Sequence, residues 1–158
     1  MISFKIENLN SWAQRMLDDY DSKKPGMLFA DGLTMSVTQA WQLQTAVADL
    51  RIKRGEKPVG YKIGLVSKHN QNMIGMNHPS WGRLWDTEQY TDGAQLKKSN
   101  YANPSMEAEF GIVLGSDIDP AKAEFKDIID GIASVHPVIE IHNFVFRGAH
   151  PKGPELLA

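Results

Sequence analysis

The sequence predicts an α+β chain with helices first and a mixed or largely antiparallel sheet after them. Three patterns carry that expectation. Apolar residues recur at helical spacing in two long stretches before residue 57, they alternate with other types in strand-like stretches after residue 58, and short helical patterns interrupt the strands. With 158 residues, 42% of them hydrophobic and 23% charged, the chain is expected to form one globular domain with a real core. In this reading residues 1–57 are its helical N-terminal part and residues 58–158 the start of its sheet.

Residues 8–20 place Leu9, Trp12, Ala13, Met16, Leu17 and Tyr20 on one helical face, behind Asn8 and Asn10 as candidate caps. The turn-rich segment DSKKPGMLFADG ends that helix. A second helix opens on a capping box, Ser36 with Gln39, runs through Val37, Ala40, Trp41, Val47 and Leu50, and closes on basic residues and Gly55. KPVGYKIGLVS then reads as a strand with Val59, Tyr61, Ile63 and Leu65 on one face and Gly60, Lys62 and Gly64 on the other. A short helix capped by Ser67 and ended by Gly75 follows, then MNHPSWGRLWDT, read as a loop. NPSMEAEFGIVLG reads as a strand. Asp119 with Pro120 behind it suggests a cap for a helix through Ile128, Ile129 and Ile132, and HPVIEIHN is the last clear strand. The final residues resemble the start of another helix.

Charge and composition remove several function classes from consideration. A formal net charge of -2 and no run of like charges give no basic footprint for nucleic acid. The absence of cysteine excludes disulfides, thiolate metal sites and a cysteine nucleophile. No apolar stretch approaches a membrane span, and the N-terminus has neither the basic start nor the apolar core of a signal peptide, so the expected location is the cytoplasm.

Strand alternation puts Glu107, Glu109, Gly111 and Val113 on one face of their strand, and Met106, Ala108, Phe110, Ile112 and Leu114 on the other, read as core. Two carboxylates a pleat apart raise each other's pKa in a poorly solvated site unless a cation lies between them. Glu140 is a third carboxylate in an apolar strand, sharing its face with Val138 and His142. Three carboxylates from two strands suit a hard divalent cation; a simply wet face with solvated glutamates is the other reading, and spacing alone does not choose between them.

The strings GYKIGLVSK, GRLW, PSMEAEFGIVLG and PVIEIHN, in this order and with these gaps, resemble the 2-keto-4-pentenoate hydratase and 4-oxalocrotonate decarboxylase family of the fumarylacetoacetase-like superfamily. The resemblance runs from about the second helix to the end of the chain, which looks C-terminally truncated beside the family pattern, its sheet incomplete. It implies a fumarylacetoacetase-like fold and a divalent metal, Mg2+ or Mn2+, held by Glu107, Glu109 and Glu140. Lys62 falls at the family's active-site lysine, as a charge partner or proton carrier; a structural pairing with a glutamate is its alternative role. The implied reaction is hydration of a 2-hydroxy-2,4-dienoate to a 4-hydroxy-2-oxo acid. A 4-oxalocrotonate-type decarboxylase, or a short family member acting only as a binding or assembly partner, are the alternatives. An open sheet edge leads to the expectation of a homo-oligomer.

Two further residues are weaker candidates for substrate contact. Arg83 in GRLW carries a planar fork suited to a carboxylate. His142 shares the face of Glu140, where a hydrogen-bonded supporting role is favoured over ligation. Asn143 stands where many family members have an aspartate. His69, His78, His136 and His150 have no ligand spacing and are assigned no role.

Overall fold

The computed structural model describes residues 2–24, 26–143 and 153–158. These fall into two compact units: residues up to 102 with 153–158, and residues 103–143.

The first unit is built on two helices. α1 (Leu9–Asp21) starts one residue after Asn8, and α2 (Val37–Lys53) starts behind the Ser36 and Gln39 capping box, with both reciprocal bonds formed. Gly55 takes φ +102°, a backbone conformation that residues with a side chain rarely adopt, and so ends α2. Phe4, Ala13, Leu28, Leu33 and Leu43 form the buried core, with Leu9, Trp12 and Val47 packed against it. A short parallel pair, β1 (Ile2–Ser3) and β2 (Leu33–Thr34), closes one side. Neither strand is signalled in the sequence, because two residues are too short for a period.

β3 (Pro58–Gly64) forms where alternation predicts it, and α3 (Lys68–Met73) follows behind the Ser67 cap, with Gly75 at φ +74° just beyond. The segment read as a loop from Met76 to Thr87 instead contains β4 (Ser80–Trp85), antiparallel to β3. Its six residues hold a glycine and follow a proline, so local chemistry speaks for a turn; pairing with β3 supplies the backbone partners that local sequence cannot reveal. α5 (Pro154–Leu157) docks through Leu157 onto Ala40 and Met76, and the Gly153 N–H donates to the Ile74 carbonyl at 2.8 Å.

A polar network joins the ends of these elements. Arg51, near the end of α2, donates to Glu56 and, at 2.7 Å, to Glu88, while its guanidinium lies 4.3 Å above the Trp85 ring. Arg54 bridges Glu56 and Asp21, Thr87 donates to Glu56 at 3.0 Å, and Tyr20 donates to Glu88. Burial would raise the Glu56 pKa, but the Arg51 and Arg54 hydrogen bonds outweigh it and hold this carboxyl below its ordinary value.

The second unit is a long antiparallel ribbon of β5 (Pro104–Leu114) and β6 (Ile132–Asn143), joined through α4 (Phe125–Asp130). α4 begins later than Asp119 suggests. Asp119 Oδ1 accepts from the Ala121 N–H in a turn, whereas Glu124 and Asp127 form the capping box, and Ile132 already belongs to β6. The face read as core is open here: Met106, Phe110 and Ile139 are 72%, 78% and 70% exposed. Alternation selects the apolar face correctly, but a two-stranded ribbon has no layer of its own to lay against it.

Candidate metal centre

The ribbon's register decides which side chains meet. Glu107 of β5 lies directly opposite Glu140 of β6, Ser105 opposite His142, and Glu109 opposite Val138. Cross-strand partners share a face, so Glu107, Glu109, Glu140 and His142 all project to the side opposite Met106 and Phe110. The alternation seen in each strand separately thus becomes one shared polar surface.

On that surface Glu107, Glu140 and His142 bring one ligand atom each to within 4.8 Å of one another. His142 Nε2 lies 3.1 Å from Glu107 Oε1 and 3.5 Å from Glu140 Oε2. Bonds of about 2.1 Å to a six-coordinate cation put neighbouring ligand atoms about 3 Å apart, so these separations fit ligands of one ion. Two carboxylates and an imidazole are also a donor set that divalent metals accept. The surface is graded from dry to wet: the side chains of Glu140 and His142 are 22% and 25% exposed, that of Glu107 59%. At the end of the ribbon the Asn103 N–H donates to Asn143 Oδ1 at 3.3 Å, next to His142.

Glu109 is half-buried one pleat from Glu107 on the same face, diagonal to Glu140, and is not one of the three side chains whose ligand atoms meet. The histidine absent from the carboxylate triad is the one the geometry adds. Its signal in the sequence is its parity with Glu140, two residues on in the same strand.

Lys62 sits in the first unit on β3, half-buried, directly opposite Gly82 of β4 and flanked by Gly60 and Gly64. A Cβ at Gly82 would meet no atom within 4 Å, so the position opposite Lys62 is open, whereas Cβ atoms at Gly60 and Gly64 would meet Leu84 Cδ1 at 3.6 Å and Ser80 Oγ at 3.2 Å. Arg83 pairs with Tyr61 and so belongs to the other face of this hairpin. There its guanidinium lies 5.3 Å from the Trp81 ring, which stacks on Trp41, and its Nη1 donates to Gln44 Oε1 at 3.4 Å. His78 contacts the Pro79 carbonyl and His136 contacts Ser134 Oγ, each at 2.8 Å, while His150 lies outside the described residues.

No family model matches the chain. It is 32% identical over 130 residues to 2-keto-4-pentenoate hydratase of Paraburkholderia xenovorans, covering 82% of this chain and 48% of that protein. It is 25% identical over 146 residues to 4-oxalocrotonate decarboxylase of a Pseudomonas species, covering 92% of this chain and 57% of the relative. Among solved structures, 4-oxalocrotonate decarboxylase from Pseudomonas putida G7, complexed with magnesium and adipate, superposes with a TM-score of 0.88 at 22% identity over 98% of this chain and 59% of that one. The chain therefore spans about half the length of the curated hydratase it matches. The structural likeness bears on the fold, which is fumarylacetoacetase-like α+β. Among the described residues no helix is long and apolar enough to cross a membrane.

Proposed function

The chain belongs to the family of 2-keto-4-pentenoate hydratases and 4-oxalocrotonate decarboxylases, and on that premise we propose that it serves a divalent-metal-dependent hydro-lyase adding water to a 2-hydroxy-2,4-dienoate to give a 4-hydroxy-2-oxo acid. The observation that carries this reading is the meeting of Glu107 and Glu140 across the ribbon, with His142 beside them. In the proposal Glu107, Glu109 and Glu140 hold Mg2+ or Mn2+, and the two units act as one domain. A cytoplasmic setting and assembly into a homo-oligomer belong to the same proposal. The open apolar face of Met106, Phe110 and Ile139 supports assembly.

A divalent cation held by Glu107, Glu109 and Glu140 would supply Lewis-acid stabilisation and an orienting template for the substrate acid. The chain's own residues do the rest. Glu107 and Glu140, facing each other from rigid paired strands, set the direction from which the acid is held. Lys62, borne on a strand opposite the open position at Gly82, carries a proton between solvent and the dienoate carbon skeleton or balances the substrate's charge. Arg83, held against Trp81 on the opposite face of its hairpin, is the weaker candidate for substrate contact.

A second reading is decarboxylation of a 4-oxalocrotonate-type acid, favoured by the relative that aligns over 92% of the chain. One experiment separates the two. The purified chain with Mg2+ or Mn2+ is given the dienoate and the loss of its ultraviolet absorbance is followed, and then given the oxalocrotonate with CO2 release measured. Metal-dependent loss of absorbance, abolished in Glu140→Gln, supports hydration; CO2 release alone supports the second reading. No turnover of either acid contradicts an enzymatic role for this chain.

A further inference from the structure

Resting on the metal-site reading above, we infer that His142 is itself a ligand of that metal through Nε2, giving a mixed nitrogen and oxygen set with Glu107 and Glu140. Such a set prefers a later first-row transition ion to Mg2+ more strongly than carboxylates alone do.

Three observations carry the inference. His142 stands in the same face and strand as Glu140, so the β pleat aims both side chains the same way. Its Nε2 lies 3.1 Å from Glu107 Oε1 and 3.5 Å from Glu140 Oε2, separations that two ligands on adjacent positions of one ion would have. These three side chains are the group whose ligand atoms converge among the described residues, whereas Glu109 lies a pleat away. A hydrogen bond from the imidazole to Glu107 would have the same separation, so the metal preference of variants at this position is what distinguishes ligation from support.

The chemistry that follows is a matter of donor softness. Carboxylate oxygens suit Mg2+ and Mn2+, while imidazole nitrogen adds affinity for Co2+, Ni2+ or Zn2+ and little for Mg2+. Any nitrogen and oxygen site favours Co2+ to some degree. The diagnostic quantity is therefore how far the ratio of Co2+ to Mg2+ affinity depends on the imidazole.

The test is calorimetric titration of Co2+ and of Mg2+ into the full chain, into His142→Gln and into His142→Glu, with circular dichroism to verify that each is folded. The inference predicts a Co2+ to Mg2+ affinity ratio at least about tenfold lower in both variants than in the parent chain, with Mg2+ affinity in His142→Glu retained. If Gln weakens both ions in equal proportion, His142 supports the site without ligating, and the inference is overturned while the metal site stands. Unchanged affinities in His142→Gln overturn it in the same way. Should the parent chain bind neither ion, the metal-site reading fails along with it. If His142→Gln does not fold, the glutamate variant and the visible absorption of Co2+ bound to the parent chain decide: bands unchanged between parent and His142→Glu overturn the inference.

Discussion

At the scale of single residues, the candidate chemistry depends on which face of a strand each side chain takes. Lys62 alternates away from Tyr61 and Ile63 and faces Gly82 across the hairpin, so a side chain of similar length is accommodated in its place. Lys62→Met is expected to cut turnover by at least about a hundredfold, the usual scale for one proton-transfer group, while the melting temperature stays close to that of the parent. Parallel kinetics and thermal melts check this; a variant that unfolds while its folded fraction keeps full activity would mark the lysine as structural. The glutamates divide in the same manner. Mg2+ or Mn2+ should raise the melting temperature because a ligand bound only to the folded state stabilises it by mass action. Glu107→Gln and Glu109→Gln should each lose most of that rise, because the proposal makes both carboxylates ligands; a rise kept in full by Glu109→Gln, whose carboxylate lies one pleat from the converging trio, would remove it from the ligand set.

At the scale of elements, the two helices and the hairpin of the first unit are tied by Arg51, Glu56 and Glu88. Removing one partner from a buried, hydrogen-bonded ion pair leaves the other charge stranded, so Arg51→Ala should destabilise this unit by about 3–5 kcal/mol in urea titration. A loss under about 1 kcal/mol would mean that water replaces the guanidinium. The same network sets an acid limit. Because Glu56 titrates below its ordinary value of 4.5 when folded, it contributes stability that is present above that pH and is lost as pH falls through its lower, folded value. Urea midpoints measured downward from pH 5 should fall, and more shallowly in Glu56→Gln. What was legible in the sequence divides along the same line. Ser36 with Gln39, Ser67, Gly55 and Gly75 act on neighbours within a few positions, and the elements they bound appear where they predict. β4 depends on its pairing with β3, and the Arg51 network reaches beyond the neighbouring Glu56 to Tyr20, Thr87 and Glu88 far along the chain, while a polar residue such as Glu56 carries no local sign that folding will bury it. At the site, parity showed that Glu107, Glu109, Glu140 and His142 share faces within their strands. The register that puts Glu107 opposite Glu140 needed the paired structure.

At the scale of the whole molecule, the open apolar face of the ribbon is the feature that most affects behaviour in solution. An exposed apolar sheet face invites association, so sedimentation should find the chain self-associating at micromolar concentration, and Phe110→Glu should weaken that association. A monomeric parent chain would count against the proposed homo-oligomer. The chain spans about half of the hydratase it matches, so the metal site must be judged on what these residues do themselves. The most direct measurement is an anomalous difference map from crystals of this chain grown with Mn2+. The account predicts a peak within about 2.6 Å of carboxylate oxygens of both Glu107 and Glu140, the outer limit for oxygen ligands of hard cations. A map with no peak between them, or with its peak at the acidic turn around Asp119 and Asp127, would contradict it.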